Sequence, residues 1–105
     1  MTVSEAQERV AFLIRLMRKS LADYTEGRAE LGRLTGDLQS LIDALEEVAD
    51  VRRVERLRSS WGELEIIYAI ALDEGRPLTV DEERDVQAIV EELNEGLQEP
   101  CSGDR

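Results

Sequence analysis

Residues 31–48 read LGRLTGDLQSLIDALEEV, and this stretch decides the fold class. Its apolar residues recur at intervals of three and four, which places them on one face of an α-helix. The spacing runs 3-4-3-4-3 and is close to the heptad seam of packed helices: Leu31, Leu34, Leu38, Leu41, Leu45 and Val48. The stretch therefore predicts an amphipathic helix whose apolar face must be covered by other helices.

Two glycines leave the start of this helix open to two interpretations. Gly32 and Gly36 each lower helix propensity by about 1 kcal/mol relative to alanine. Either the helix includes them and they let a neighbouring helix approach closely, or the helix begins only near Thr35. Both interpretations keep the apolar face from Leu38 onward.

Three further stretches carry the same helical periodicity, and they span residues 10–24, 54–72 and 86–97. From Ile66 onward the middle one is apolar nearly all round, which predicts that this end lies at the centre of the fold. No run of alternating β-branched residues between turn dipeptides competes with the helices.

The predicted helices are bounded by residues that stop or cap them. Gly27 ends the first, and Gly75 with Pro77 ends the third. Thr79, followed by Glu82 three residues later, forms a capping-box pattern at the start of the fourth.

Short connections make successive helices antiparallel neighbours. The predicted fold is all-α, an antiparallel up-down four-helix bundle. The 105 residues suffice for one domain, which we place at residues 1–99. Residues 100–105 have no apolar anchor and are predicted to be a disordered tail.

The composition excludes several classes of reaction and cofactor. The chain has no histidine and a single cysteine, Cys101. The missing histidine excludes Ser-His-Asp and Cys-His catalysis, His-ligated zinc or haem and the Glu-x-x-His di-iron pattern. The lone cysteine excludes an intrachain disulfide and a Cys-x-x-Cys site. We therefore predict that the protein is not an enzyme, with no catalytic, cofactor-binding or metal-binding residues and no cofactor.

The net charge of −11 bears on partners and compartment. An anionic protein is repelled by nucleic acid and membrane surfaces and attracted to a basic protein. The opening Met1–Glu5 lacks the basic and apolar regions of a signal peptide. No apolar run approaches the ~20 residues that a membrane span needs. We predict a cytoplasmic protein that binds a basic protein and makes no direct contact with nucleic acid or membrane.

Acidic residues are concentrated on the last helix, because residues 77–105 carry nine acids and two arginines. Spacings of 4, 7, 3 and 4 place five acids on one face, away from the apolar stripe: Asp81, Asp85, Glu92, Glu95 and Glu99. Such a face is either ordinary solvated surface or a docking surface for a basic partner. The near absence of basic residues favours docking, since like charges one turn apart are unfavourable.

Two further carboxylates join the predicted partner-binding residues. Asp37 belongs to a second acidic group on the second helix. Glu65 lies four residues after Trp61 and three before Tyr68, which places it at the edge of an apolar face. It is either a buried functional carboxylate or a boundary residue bonded to a neighbour or to water. The predicted set is Asp37, Glu65, Asp81, Asp85, Glu92 and Glu95.

The stretch from residue 27 to 97 resembles a known class of protein. It contains Gly36-Asp37-Leu38, Trp61-Gly62-Glu63-Leu64-Glu65 and Leu72-Asp73-Glu74-Gly75-Arg76, followed by an acidic helix. It resembles small bacterial proteins of about this length, and in layout it is similar to the acidic four-helix immunity proteins of the colicin D type, which accompany polymorphic toxins. The resemblance implies a basic toxin domain as partner, often a nuclease, whose active site the immunity protein covers.

Charge and resemblance together lead us to expect an immunity or antitoxin-like protein that occludes a basic toxin. Its carboxylates pair with the Lys and Arg that the toxin uses to hold phosphates. The alternative is a structural or adaptor bundle, without a toxin partner, that forms a homodimer through the seam at residues 31–48. A third hypothesis is a nucleic-acid mimic that binds many DNA-binding proteins.

Overall fold

Four α-helices make up the part of the chain that a computed structural model describes, residues 3–98: α1 Val3–Thr25, α2 Leu31–Leu45, α3 Val51–Asp73 and α4 Val80–Gln98. Each helix packs against the next along the chain, and α1 also packs against α4. The protein is therefore an all-α antiparallel four-helix bundle, as the periodicity predicts. Glu99 and the predicted tail at 100–105, which includes Cys101, lie outside the described residues.

The apolar stripe of α2 lies inside the chain's own core. Its buried residues include Leu31, Leu34, Leu38, Ile42 and Leu45. Leu41 and Val48, which the heptad spacing includes, are only half-buried and pack at the edge of the core. A straight helix has 3.6 residues per turn, so a strict seven-residue pattern drifts sideways by about 20° per repeat. The drift moves Leu41 to the edge and brings Ile42 inward.

Gly32 and Gly36 both lie within α2, which resolves the two interpretations of its start. A Cβ atom at Gly32 would stand 2.7 Å from the hydroxyl oxygen of Tyr68 and 2.9 Å from its ring carbon Cζ. At Gly36 a Cβ would meet nothing within 4 Å. Gly32 therefore permits the close approach of α3 to α2, whereas Gly36 has no packing role.

We expect opposite outcomes when these two glycines are changed to alanine. G36A should raise the free energy of unfolding by up to about 1 kcal/mol, because alanine restricts the unfolded chain and favours the helix. In G32A the same gain is offset by displacement of the Tyr68 ring, so this variant should be about 1–3 kcal/mol less stable than G36A. Urea denaturation measures both. Equal stabilisation by the two substitutions would contradict the close contact.

The C-terminal half of α3 corrects one prediction. It does not lie at the centre of the fold, because Ile66, Ile70 and Leu72 are 59%, 44% and 65% exposed. The same half buries Leu64 and Ala71, which point to the core. In a bundle each helix has neighbours on one side only, so residues on the other side face solvent however apolar they are.

The predicted capping box fixes the first turn of α4. The backbone N–H of Glu82 donates to Thr79 Oγ1 at 3.1 Å, and the N–H of Thr79 donates to Glu82 Oε1 at 2.9 Å. Arg76 adds a two-pronged hydrogen bond to the Glu82 carboxylate, at 2.7 and 3.0 Å. The hydrogen bonds from Arg76 and from the Thr79 N–H lower the pKa of Glu82 to about 2.

This low pKa predicts how the contribution of the cap depends on pH. Above about pH 4.5, the unperturbed value, Glu82 is ionised in both folded and unfolded chains, so its full stabilisation is present. Below that pH the unfolded chain takes up the proton first, and the stabilisation disappears as the pH approaches about 2. E82Q should therefore lower the melting temperature at pH 7. The difference from wild type should disappear as the pH falls from about 4.5 to about 2.

Glu83 provides the control for that measurement, because it lies in the same first turn of α4 and no ion pair is formed by it among residues 3–98. E83Q should change the melting temperature less than E82Q at pH 7, because Arg76 and the Thr79 N–H donate to Glu82 and not to Glu83. Thermal unfolding followed by circular dichroism from pH 7 down to about pH 2 compares the two variants. Identical pH profiles would contradict a specific role for Arg76 and Thr79.

Candidate functional site

The apolar stripe of α4 sets the direction of its acidic residues. The stripe is buried as predicted: Val86, Ile89, Val90, Leu93 and Leu97. Glu92 lies on the side of α4 next to α3, because the hydroxyl of Ser60 donates to Glu92 Oε1 at 3.1 Å. Asp85 is seven residues before Glu92, and Asp81 four before Asp85, so all three share one side of the helix.

We call the exposed carboxylates Asp81, Asp85, Glu92 and Glu95 the acidic face. They follow α4 along the edge that adjoins α3, from its first turn to its last. Four of the six residues predicted to bind a partner are thus brought together on one surface. Glu99, the fifth acid of the predicted stripe, lies outside the described residues.

The carboxylates of the acidic face form few ion pairs, whereas some carboxylates of the other helices are paired with arginine. Within residues 3–98, Asp85, Glu92 and Glu95 take part in no ion pair shorter than 4 Å; Asp81 has an exposed contact of 3.4 Å with Arg84. Elsewhere Asp23 is paired with Arg28 at 2.8 Å, and Arg58 bridges Asp43 and Glu46 at 3.1 and 3.0 Å. Exposed carboxylates without an ion pair also occur elsewhere in residues 3–98, such as Glu8, Glu55 and Asp73, so the distinguishing feature of the acidic face is that four carboxylates follow one helix edge.

A shallow groove between α3 and α4 contains the C-terminal half of the acidic face. Its polar lining consists of Arg53, Arg56, Ser59, Ser60, Glu63, Glu92 and Glu95. Arg53 is buried and donates from Nη2 to the carbonyl oxygen of Leu97 at 3.4 Å. Two guanidinium groups thus lie near Glu92 and Glu95. The arginine nearest to Asp81 and Asp85 in sequence, Arg84, has a single exposed contact with Asp81.

Asp37 does not belong to the acidic face. The hydroxyl of Ser20 donates to Asp37 Oδ2 at 3.2 Å, and Arg33 Nε lies 3.6 Å from the same oxygen. These contacts place Asp37 beside α1. In the described part of the chain α2 and α4 are not neighbouring helices, so their acidic groups do not form one continuous patch.

Glu65 lies on a third side of the molecule. It is half-buried and follows Arg58 by seven residues and Trp61 by four, so the three share one side of α3. Both of those residues contact α2, since Arg58 pairs with Asp43 and Trp61 Nε1 donates to the carbonyl oxygen of Thr35 at 2.8 Å. Glu65 therefore adjoins α2 rather than α4, and Trp61 serves the packing of α2 on α3.

The exposed isoleucines of α3 are candidate binding residues that the sequence analysis missed. Ile66 and Ile70 lie one turn apart on the outer side of the helix. The signal that could have found them is the apolar run itself. A helix in a four-helix bundle needs one apolar stripe, so apolar residues on its other faces are surplus to the core and form a possible contact surface.

No three carboxylates or cysteines among the described residues come together in a way that could hold a metal ion. None of the helices in residues 3–98 combines the length and apolar content that crossing a membrane requires. Comparison of the chain with protein-family models, curated proteins and solved structures finds no match. Function must therefore be argued from the surface described above.

Proposed function

We propose that the protein is an immunity or antitoxin-like inhibitor that binds a basic protein, of the nuclease toxin class, through its acidic face. The observation that carries the proposal is the row of exposed carboxylates on α4, of which Asp85, Glu92 and Glu95 form no ion pair within residues 3–98. The layout of the chain, which resembles that of acidic immunity proteins, agrees with this function.

The energetics of the helix favour a purpose beyond solubility. Like charges one turn apart, such as Asp81 and Asp85, destabilise a helix by a few tenths of a kcal/mol per pair. Some carboxylates elsewhere in the bundle are accompanied by arginine or lysine, as in the contacts of Asp23 with Lys19 and Arg28. A surface that forgoes such pairing keeps its carboxylates available for cations on another molecule.

Occlusion follows from the chemistry of the proposed partner. A protein that cleaves nucleic acid must present Lys and Arg where phosphates bind. Carboxylates on α4 would pair with those side chains, steer the two proteins together and exclude the nucleic acid from the site. The inhibitor would act in a one-to-one complex and without chemistry of its own.

The proposal is tested by capture from a lysate of the native host at low ionic strength. Three immobilised proteins are compared: wild type, D85R/E92R and E8R/E47R. The control pair changes the net charge by the same amount, and Glu8 and Glu47 are exposed residues of α1 and of the turn that follows α2. We expect wild type and E8R/E47R to retain the same basic protein and D85R/E92R to lose it.

Two results count against the proposal. If the wild-type protein retains no basic protein, the proposal has no partner. Equal loss in D85R/E92R and E8R/E47R would show that only the net charge of the molecule matters, and not the face. Nuclease activity of the captured protein, restored when the inhibitor is removed, would identify the class of partner.

A further inference from the structure

An apolar pair on the outer side of α3 is surrounded by carboxylates. Ile66 and Ile70 are 59% and 44% exposed and lie one turn apart, about 6 Å along the helix axis. Glu63 precedes Ile66 by three residues and Asp73 follows Ile70 by three, so an exposed carboxylate lies beyond each end of the pair.

The register between α3 and α4 brings the acidic face alongside this pair. The hydrogen bond from Ser60 to Glu92 fixes the two helices at that level, and the bond from Arg53 to the Leu97 carbonyl agrees with it. In an antiparallel pair, a step toward the end of α3 matches a step toward the start of α4. Ile66 follows Ser60 by six residues and Asp85 precedes Glu92 by seven, so the two lie at the same height to within about one helical rise of 1.5 Å. Ile70 and Asp81 match in the same way.

We propose that Ile66 and Ile70, together with Asp81 and Asp85, form one docking surface for a basic amphipathic helix of the protein partner. This inference rests on the proposed function and specifies how its partner is recognised. The apolar row and the anionic row run side by side, and each repeats after one turn. A helix with apolar residues at i and i+4 and Lys or Arg beside them matches both rows.

The charges around the isoleucines determine which occupant fits. A second copy of this chain, docked through the same surface by two-fold symmetry, would bring the carboxylates Glu63, Asp73, Asp81 and Asp85 of both copies into one interface. An anionic membrane surface would meet the same carboxylates. A cationic partner satisfies these groups, and burial of the isoleucines adds the apolar anchor that charge pairs alone do not supply.

Two synthetic peptides of about 18 residues, a length near the minimum for a helix in water, test the inference directly. One carries leucines along one helical face and lysines elsewhere; in the other, alanine replaces every leucine. Fluorescence anisotropy measures their affinities at low ionic strength. We expect wild type to bind the leucine peptide at least about tenfold more tightly than the alanine peptide.

The variant I66S/I70S should bind both peptides with similar affinity. The matched control is F12S/V51S, which removes two other exposed apolar side chains, 44% and 68% exposed on α1 and at the start of α3. This control should keep the preference for leucine. If circular dichroism shows that serine perturbs the helix, I66A/I70A gives the same comparison.

The inference is overturned if wild type shows no preference for leucine, or if I66S/I70S keeps the preference. It is also overturned if I66S/I70S captures the basic protein from the host lysate as well as wild type does, a result that would leave the acidic-face proposal intact. Failure of wild type to capture any basic protein would instead reject the proposed function, while the peptide preference would still decide whether the surface exists.

Discussion

I42A is expected to lower the free energy of unfolding by about 2–4 kcal/mol, because it removes a fully buried side chain and leaves a cavity. L41A should cost only about 1 kcal/mol, since Leu41 is half-buried at the edge of the core. The strict heptad predicts the reverse order. Urea denaturation of the two variants and wild type measures the difference.

The slope of unfolding against urea provides the control for this comparison. An unchanged slope means that each substitution alters stability and not the amount of surface exposed on unfolding. L38A is the positive reference, because Leu38 belongs to both patterns and is 1% exposed. If L41A proved as destabilising as I42A, the described packing of α2 would be wrong.

The second large effect is expected in binding. D85R/E92R should weaken the affinity for the captured partner by about 100-fold at low salt, equivalent to ~2.7 kcal/mol, since each reversal replaces attraction with repulsion. Most of the loss should come from slower association, because exposed charges act mainly by steering. Surface plasmon resonance separates the two rate constants.

Ionic strength discriminates a charge effect from damage to the fold. The Debye length falls from about 8 Å at 0.15 M to about 3 Å at 1 M, so the difference between variant and wild type should shrink as salt is added. E8R/E47R should associate nearly as fast as wild type. A 100-fold loss that persists at 1 M salt would indicate a structural defect and contradict the steering mechanism.

The helices could be predicted because their apolar stripes repeat with the helical period. The stripe of α4 is buried in full, and its capping box at Thr79 and Glu82 has the expected hydrogen bonds. The burial of Ile42 in place of Leu41 was not predictable from the heptad spacing, because it depends on the three-dimensional path of a straight helix. The contact between Gly32 and Tyr68 depends on the separation of two helices, which no local pattern contains.

The candidate site was predictable only within one helix. Spacing alone placed Asp81, Asp85 and Glu92 on a common side of α4. Asp37 lies elsewhere because α2 and α4 are not neighbours in the bundle, and Glu65 because it is on the side of α3 that faces α2. Asp23 was also missed. It is buried in the last turn of α1, where hydrogen bonds from Arg28 and Lys19 lower its pKa.

The most direct test of the central claim is a map of the partner's footprint on this protein, residue by residue. Chemical-shift changes of the backbone amides, measured by NMR on the labelled protein with and without the captured partner, provide that map. Binding through the acidic face and the two isoleucines predicts changes that cluster on residues 63–73 of α3 and 81–95 of α4. Changes that cluster on α1 and α2 around Asp37, with the acidic face unaffected, would contradict it.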